Sequence, residues 1–342
     1  MAMNDSLDTD SDFPIAVDAD TKFPCKAWER LLVKTKYEYI PPKDRLDSDT
    51  PVSADCVRVV CISDTHSKIE VQDPKTIPYG DILLHAGDFT MKGEPNAVHK
   101  FNTFLGQLPH KHKIVIAGNH EISFDDNIMS KDHLDPMFGS MNKYVNEMSD
   151  LEVKSVKDLL TNCIYLEDSM VSLYGINIYG SPWQPAFGGW GFCLPRGEAL
   201  LEKWKHIPTN TDILMTHGPP VGYGDVVKGG NHVGCVELLN VVQKVVKPKY
   251  HVFGHIHEGY GVSTDGCTTF INASTCTTRY RPSNPAVVLD FPLPSGHSKE
   301  EDPIIIHTKV PQDLTAGRKK KMSSAKSRVN SALYPGNNKC NV

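Results

Sequence analysis

No CxxC pair occurs among the nine cysteines, which stand at positions 25, 56, 61, 163, 193, 235, 267, 276 and 340. That spacing excludes a zinc knuckle or a thioredoxin-type redox pair, and an odd count spread so widely fits reduced thiols better than a disulfide framework. A cytoplasmic location is expected on that ground. Also missing is any apolar run approaching the ~18 residues of a membrane span, and the first residues, "MAMNDSLDTDSDFPIAVDAD", are acidic where a leader would be basic and then apolar. No membrane partner is expected. Neither sign of charge dominates, since 36 basic residues face 41 acidic ones for a net charge of −5. With no overall positive field and no basic stripe in the central region, nucleic acid is not the expected partner, and an anionic substrate has to be gathered locally. The one basic run, "GRKKKMSSAKSR" at 317–328, reads as a solvated tail, with a nuclear address as the second reading. No internal repeat is visible, which excludes a solenoid.

What is present begins with short apolar runs rich in Val and Ile: "VRVVCI" (57–62), "DILLHA" (81–86), "HKIVIA" (112–117), "INIYG" (176–180), "DILMT" (212–216) and "YHVFG" (250–254). Such runs read as strands buried on both faces. Helical spacing lies between several of them, at Val98, Phe101, Leu105 and Leu108, in "GEALLEKWKHI" and in "VGCVELLNVVQKVV". Strand and helix alternate, so the class is α/β, in one folded domain at 55–294. Residues 1–54 read as a mostly disordered N-terminal arm with one docked segment around "AWERLLVKTKYEYI", and 295–342 as a disordered basic tail. Both arms are expected to be dispensable for turnover of a small substrate.

Five of the runs end in metal-ligand residue types. Asp64 and His66 follow the first, Asp88 the second, Asn119 and His120 the third, His217 the fifth, and His255 and His257 the last. A lone Asp or His beyond a strand is usually a cap or turn residue. Five such endings are not, because ligands of α/β sheets bind at the carboxyl ends of the strands, and these side chains should converge at one edge of the sheet. All the donors are oxygen or imidazole nitrogen, which suits manganese foremost, with iron, zinc or cobalt as alternatives. Asp64, His66, Asp88, Asn119, His217, His255 and His257 are too many for one ion, and with Asp88 shared they divide into the two incomplete shells of a dinuclear centre. Such a centre presents hydroxide to a small phosphodiester or nucleotide for in-line attack. The departing oxygen then needs a proton, and His120, beside the ligand Asn119 but not required as a ligand, is the natural general acid.

The blocks "SDTH", "HAGDF", "AGNHE", "THGPP" and "GHIHEG" resemble, in order, the five signature blocks of the calcineurin-like metallophosphoesterase superfamily. The resemblance covers residues 55–294 and implies a two-sheet αββα sandwich. It also implies that Asp64, His66, Asp88 and His257 hold one metal, that Asp88, Asn119, His217 and His255 hold the other, and that His120 donates the proton. The wording between the blocks, such as "YGDILLHAGDFT", "GWGFCLPRG" and "TTFINASTCT", is similar to the metallophosphoesterase-domain-containing (MPPED) subfamily, which resembles class III cyclic nucleotide phosphodiesterases. Some members of that subfamily carry Gly where this chain has His255, so an intact ligand set favours turnover over nucleotide binding alone. Asp88 is followed by "FTMKG" rather than the Arg-bearing stretch of Ser/Thr protein phosphatases, which argues against that activity. The expected activity is therefore a metal-dependent phosphodiesterase acting on cyclic nucleotides. The alternatives are a low-activity nucleotide-binding regulator or a nuclease of the same superfamily.

Two lesser expectations concern neighbours of the ligands. The loop "SPWQPAFGGWGF" supplies Trp183 and Trp190 as candidate base-stacking residues, with core packing the alternative for each. Glu121 and Glu258 flank ligands and are candidates to orient imidazoles.

Overall fold

The computed structural model describes residues 13–70, 73–129 and 141–299, with a short strand at 308–309. All six apolar runs are strands, and they divide between two sheets. The five-stranded sheet runs Val287–Pro292, Cys56–Ile62, Ile82–His85, His112–Val115, Ile164–Tyr165, parallel throughout except for the first, which pairs antiparallel with Cys56–Ile62. The eight-stranded sheet runs Glu38–Ile40, Gly261–Thr264, Thr269–Asn272, Tyr250–Phe253, Ile213–Thr216, Ile176–Ser181, Ser169–Leu173, Thr308–Lys309, with a parallel centre and antiparallel flanks.

The sheets pack face to face because successive side chains of one strand serve two different cores. Val57, Val59 and Cys61 point into the space between the sheets, against Ile178, Ile213, Met215 and Val252. Val60 and Ile62 point the other way, into a core that also holds Val98, Phe101 and Leu105 of the helix Pro95–Gln107. On the second sheet, Tyr179, Leu214 and Phe253 share that kind of outer core with Trp204 and with Leu238 and Leu239 of Val236–Val241. Burial on both faces is why these strands lack the polar alternation of a half-exposed sheet. The result is the αββα sandwich.

In the N-terminal arm, expected to be mostly disordered with one docked segment around 27–40, that segment is docked: the helix Pro24–Leu32 buries Ala27 and Trp28, and Glu38–Ile40 adds an antiparallel edge strand to Gly261–Thr264. Packing also extends towards the N-terminus, where Ile15 is buried. The Trp28 ring meets Tyr223 edge-on at 5.5 Å, and the Tyr223 hydroxyl donates to the Lys36 carbonyl at 2.8 Å. The segment buries Ile15, Ala27 and Trp28 while Phe23 and Val33 stay exposed, too few inward residues to show periodicity. A chain beginning at residue 55 is therefore expected to melt well below the full-length protein. Trp28→Ala alone should cost ~3–5 kcal/mol, a fall in Tm of roughly 10 °C; superimposable melting curves would restore the dispensable arm. Residues 1–12 and the basic run at 317–328 lie outside the described residues. Eight of the nine cysteines are described and all eight are free thiols. Among the described residues no helix is long and apolar enough to cross a membrane.

Candidate metal centre

Each expected ligand lies just past the carboxyl end of its strand, but the strands belong to both sheets. Asp64, His66, Asp88, Asn119 and His120 follow strands of the five-stranded sheet, and His217, His255 and His257 follow strands of the eight-stranded one. The convergence expected at one sheet edge occurs instead where two sheets meet.

The backbone is bent hard to achieve this. Asp64, His66, Asp88 and His255 adopt φ of 51°, 46°, 56° and 67°, in the left-handed region that non-glycine residues rarely occupy. Four strained positions in one cluster are the kind of local cost that a functional site retains. Glycines clear the remaining space: a Cβ on Gly118 would lie 2.3 Å from Asp88 Oδ1, and one on Gly254 would lie 2.0 Å from Asp64 Oδ2.

The side chains form three overlapping groups, Asp64 with His66 and His257, His66 with Asp88 and His120, and Asp88 with His217 and His255, each with its donor atoms within 4.8 Å of one another. Asn119 joins the last group, its Oδ1 lying 3.1 Å from His217 Nε2. His217 Nδ1 donates to the Ala86 carbonyl at 2.8 Å, which leaves Nε2 a lone pair, and that lone pair faces Asn119 Oδ1 and, at 3.3 Å, Asp88 Oδ2. His257 repeats the pattern. Its Nδ1 donates to the Thr277 carbonyl at 3.0 Å, and its Nε2 faces Asp64 Oδ1 and His66 Nε2, each at 3.2 Å. Carboxylate, amide and imidazole groups thus crowd one buried space, where positive charge among them, a proton or a metal ion, is stabilising. The donor set fits divalent cations in two adjacent positions.

The electrostatics agree. Burial pushes His66 down to about 4 and His255 down to about 3, which keeps both imidazoles neutral, the form that binds metal. Burial works the same way on His217 and His257, but the Asp88 and Asp64 carboxylates overcome it and hold both imidazoles up to about 9. Without metal, a proton occupies the place of a cation. Burial opposes ionisation of Asp88, yet the His217, His120 and His66 imidazoles around it hold the carboxyl well below the usual carboxylate range.

Further groups fix the ligands. His255 N donates to Asp64 at 3.0 Å, and Ser274 Oγ lies 2.9 Å from Asp64 Oδ2. Glu121, fully buried, accepts from Asp88 N, Thr90 N, Thr90 Oγ1 and Gly118 N at 2.7–2.8 Å. It therefore orients the backbone of two motif loops rather than an imidazole. Glu258 is exposed and accepts from Lys228 N at 3.2 Å, so it does not orient an imidazole either.

His120 lies among the ligands, its ring 4.5 Å from that of His66, but is tied to other partners. Its amide donates to Asp88 Oδ1 at 2.8 Å and its Nδ1 to the Met91 carbonyl at 2.8 Å, which leaves Nε2 facing the centre, 3.9 Å from Asp88 Oδ2. Trp190 stacks on its ring, with centroids 4.2 Å apart. Trp183 does not share this place. It is 6% exposed, packs against Phe192, donates Nε1 to Asp168 Oδ2 at 2.9 Å and carries Lys203 Nζ over its ring. Its polar edge and its ring are both occupied in the core, so Trp183 is not a base-stacking residue. The expectation for the pair thus separates, with Trp190 alone at the centre.

Comparison with known sequences fits this geometry. The sequence model of the family described as calcineurin-like phosphoesterase matches residues 57–259, the stretch from the first ligand-bearing strand through the His255 and His257 loop. The chain belongs to that family. Within it, the chain is 56% identical over 252 residues to human metallophosphoesterase domain-containing protein 1, covering 73% of this chain and 76% of the relative, and equally so to the mouse protein. It is 46% identical over 291 residues to UPF0046 protein T07D4.2 of Caenorhabditis elegans, covering 84% and 72%. These relatives place it in the metallophosphoesterase-domain-containing subfamily. As a family member it is a metal-dependent phosphoesterase, a hydrolase whose His and Asp clusters form a candidate dinuclear metal site.

Proposed function

We infer that this phosphoesterase is a phosphodiesterase acting on small diesters, with cyclic nucleotides the leading substrates. Asp64, His66, Asp88 and His257 would hold one divalent ion and Asp88, Asn119, His217 and His255 the other, manganese foremost. When bound, the ions supply a water of lowered pKa and offset charge on the phosphoryl oxygens.

The observation that carries the reading is the posture of His120. Its Nδ1 is engaged by Met91 O and its amide by Asp88, so the ring is locked with Nε2 toward the ligand cluster. A proton held there is positioned for the oxygen that leaves phosphorus, the step in which an alkyl diester most needs help. Asp64 and Asp88 are the only carboxylates in the three donor groups. Two divalent ions would leave that centre net positive, suited to a phosphodiester monoanion.

The test pairs metal analysis of the purified protein with rates on bis(p-nitrophenyl) phosphate, 2′,3′- and 3′,5′-cyclic nucleotides and p-nitrophenyl phosphate, with manganese, iron, zinc or cobalt supplied. Two metals per chain and faster turnover of diesters than of the monoester are expected. Preference for the monoester would sink the diester reading. Tight nucleotide binding without turnover in a fully loaded protein would favour the regulator instead.

A further inference from the structure

Past His257 the chain returns to the centre in a tight turn at 277–281. Thr277 N donates to Arg281 O at 2.9 Å, Tyr280 N to Thr277 O at 2.8 Å, and Cys276 bridges Pro282 across the base. The turn is fastened to a proposed ligand, because its Thr277 carbonyl accepts from His257 Nδ1. Tyr280 itself adopts a φ of 54°, unfavourable for a bulky side chain. That conformation sets its ring 4.8 Å from His66 at 82°, 5.8 Å from His257 and 6.4 Å from His120.

Packing does not account for this placement, since Tyr280 remains 39% exposed and its hydroxyl has no hydrogen-bond partner among the described residues. Arg279 and Arg281 on either side are exposed, and neither guanidinium makes an ion pair or hydrogen bond among the described residues. On a chain of net charge −5, unpaired cations beside the centre supply the local attraction that an anionic substrate requires. Trp190 is less open than Tyr280, because His120 stacks on one side of its indole and the ring packs against the Ile122 and Ile128 cluster.

We propose that the turn carrying Arg279, Tyr280 and Arg281 is the nucleotide-selecting rim of the centre, with Tyr280 stacking on the substrate base and the two guanidiniums gathering the anion from solution. This rests on the phosphodiesterase reading and adds the element that makes the activity selective for nucleotides. Stacking tolerates any base, so the rim favours base-bearing diesters over base-free ones without reading base identity by hydrogen bonds.

The test uses the full-length, metal-loaded protein with Tyr280→Ala, Tyr280→Phe and the double change Arg279→Ala with Arg281→Ala. Substrates are adenosine 3′,5′-cyclic phosphate and ribose 3′,5′-cyclic phosphate lacking the base, with calorimetric binding of AMP as a readout independent of turnover. Tyr280→Ala is expected to raise KM for the adenosine diester about 5- to 50-fold, to weaken AMP binding by a similar factor, and to collapse discrimination between the two substrates. Tyr280→Phe should restore all three. The double arginine variant should lower kcat/KM several-fold at low salt and converge on the wild type near ~1 M salt, where charge is screened. Discrimination that survives Tyr280→Ala, or that Phe fails to restore, overturns the stacking role. Loss of metal in Tyr280→Ala overturns it too, by making the ring a support for His257. Unchanged salt dependence overturns the gathering role. If the wild type hydrolyses no diester yet AMP binding still weakens in Tyr280→Ala, the phosphodiesterase reading fails while the rim stands.

Discussion

Asp88→Asn is expected to cost more activity than any other single ligand change, because Asp88 is the one carboxylate common to two of the three donor groups. Its Oδ2 lies 3.3 Å from His217 Nε2 on one side and 3.8 Å from His66 Nε2 on the other, while Oδ1 accepts from the His120 amide. The change removes a buried negative charge and can place an NH₂ group among atoms that all need a cation or a proton. Loss of an outer-shell partner typically costs ~10–100-fold in metal affinity or activity, and a residue that serves both ions should exceed that. The backbone has little reason to move, since Asn is isosteric and the Glu121 clamp on Asp88 N is retained. The expected result is metal content falling from two ions per chain, kcat/KM down by more than about 100-fold, and a circular dichroism spectrum like the wild type. A variant that kept two tightly bound metals and near-normal turnover would refute the bridging assignment.

The ligand set was legible because each member follows a strand buried on both faces, and such strands print as uninterrupted Val and Ile runs. Cys56–Ile62, Ile82–His85, His112–Val115, Ile213–Thr216 and Tyr250–Phe253 all stand where those runs do. Short antiparallel strands were not legible. Gly261–Thr264 and Thr269–Asn272 pair as a hairpin of four-residue strands with polar positions interspersed, too little pattern to separate from loop. The division of ligands between two sheets has no one-dimensional signature either. The family resemblance implied two sheets but not this division, and the residues alone suggested a single edge. Trp183 and Trp190 show a different limit. They lie seven positions apart in one Gly- and Pro-rich loop, and composition gives them equal standing. Pairing of Gln184–Pro185 with Cys193–Leu194 closes that loop, and the Asp168 carboxylate draws Trp183 inward while Trp190 stays beside His120. Tyr280 and Ser274 reach the centre only because the chain returns after His257; Ser274 lies within "TTFINASTCT", whose wording assigns it no role, and Tyr280 lies outside every quoted block.

His120→Ala should have an effect that depends on the leaving group, which separates a proton donor from a ligand. The imidazole is tied down at two points, Nδ1 to Met91 O and the amide to Asp88 Oδ1, and it is backed by the Trp190 ring. The alanine variant keeps the amide contact to Asp88, so the ligand frame should survive. What it loses is the group at Nε2. A ribose alkoxide is strongly basic and needs a proton as it departs, where a positioned acid contributes about 10²–10⁴-fold, whereas a nitrophenolate leaves readily as the anion. Hydrolysis of a cyclic nucleotide is therefore expected to fall by about 10²–10⁴-fold, bis(p-nitrophenyl) phosphate to be spared to a much greater degree, and metal content to stay near normal. Both rates and the metal stoichiometry are to be measured on one preparation. A uniform fall on both substrates with metals retained would make His120 a phosphate-positioning residue. Loss of metal would instead place it in the coordination sphere, as its grouping with His66 and Asp88 within 4.8 Å also permits.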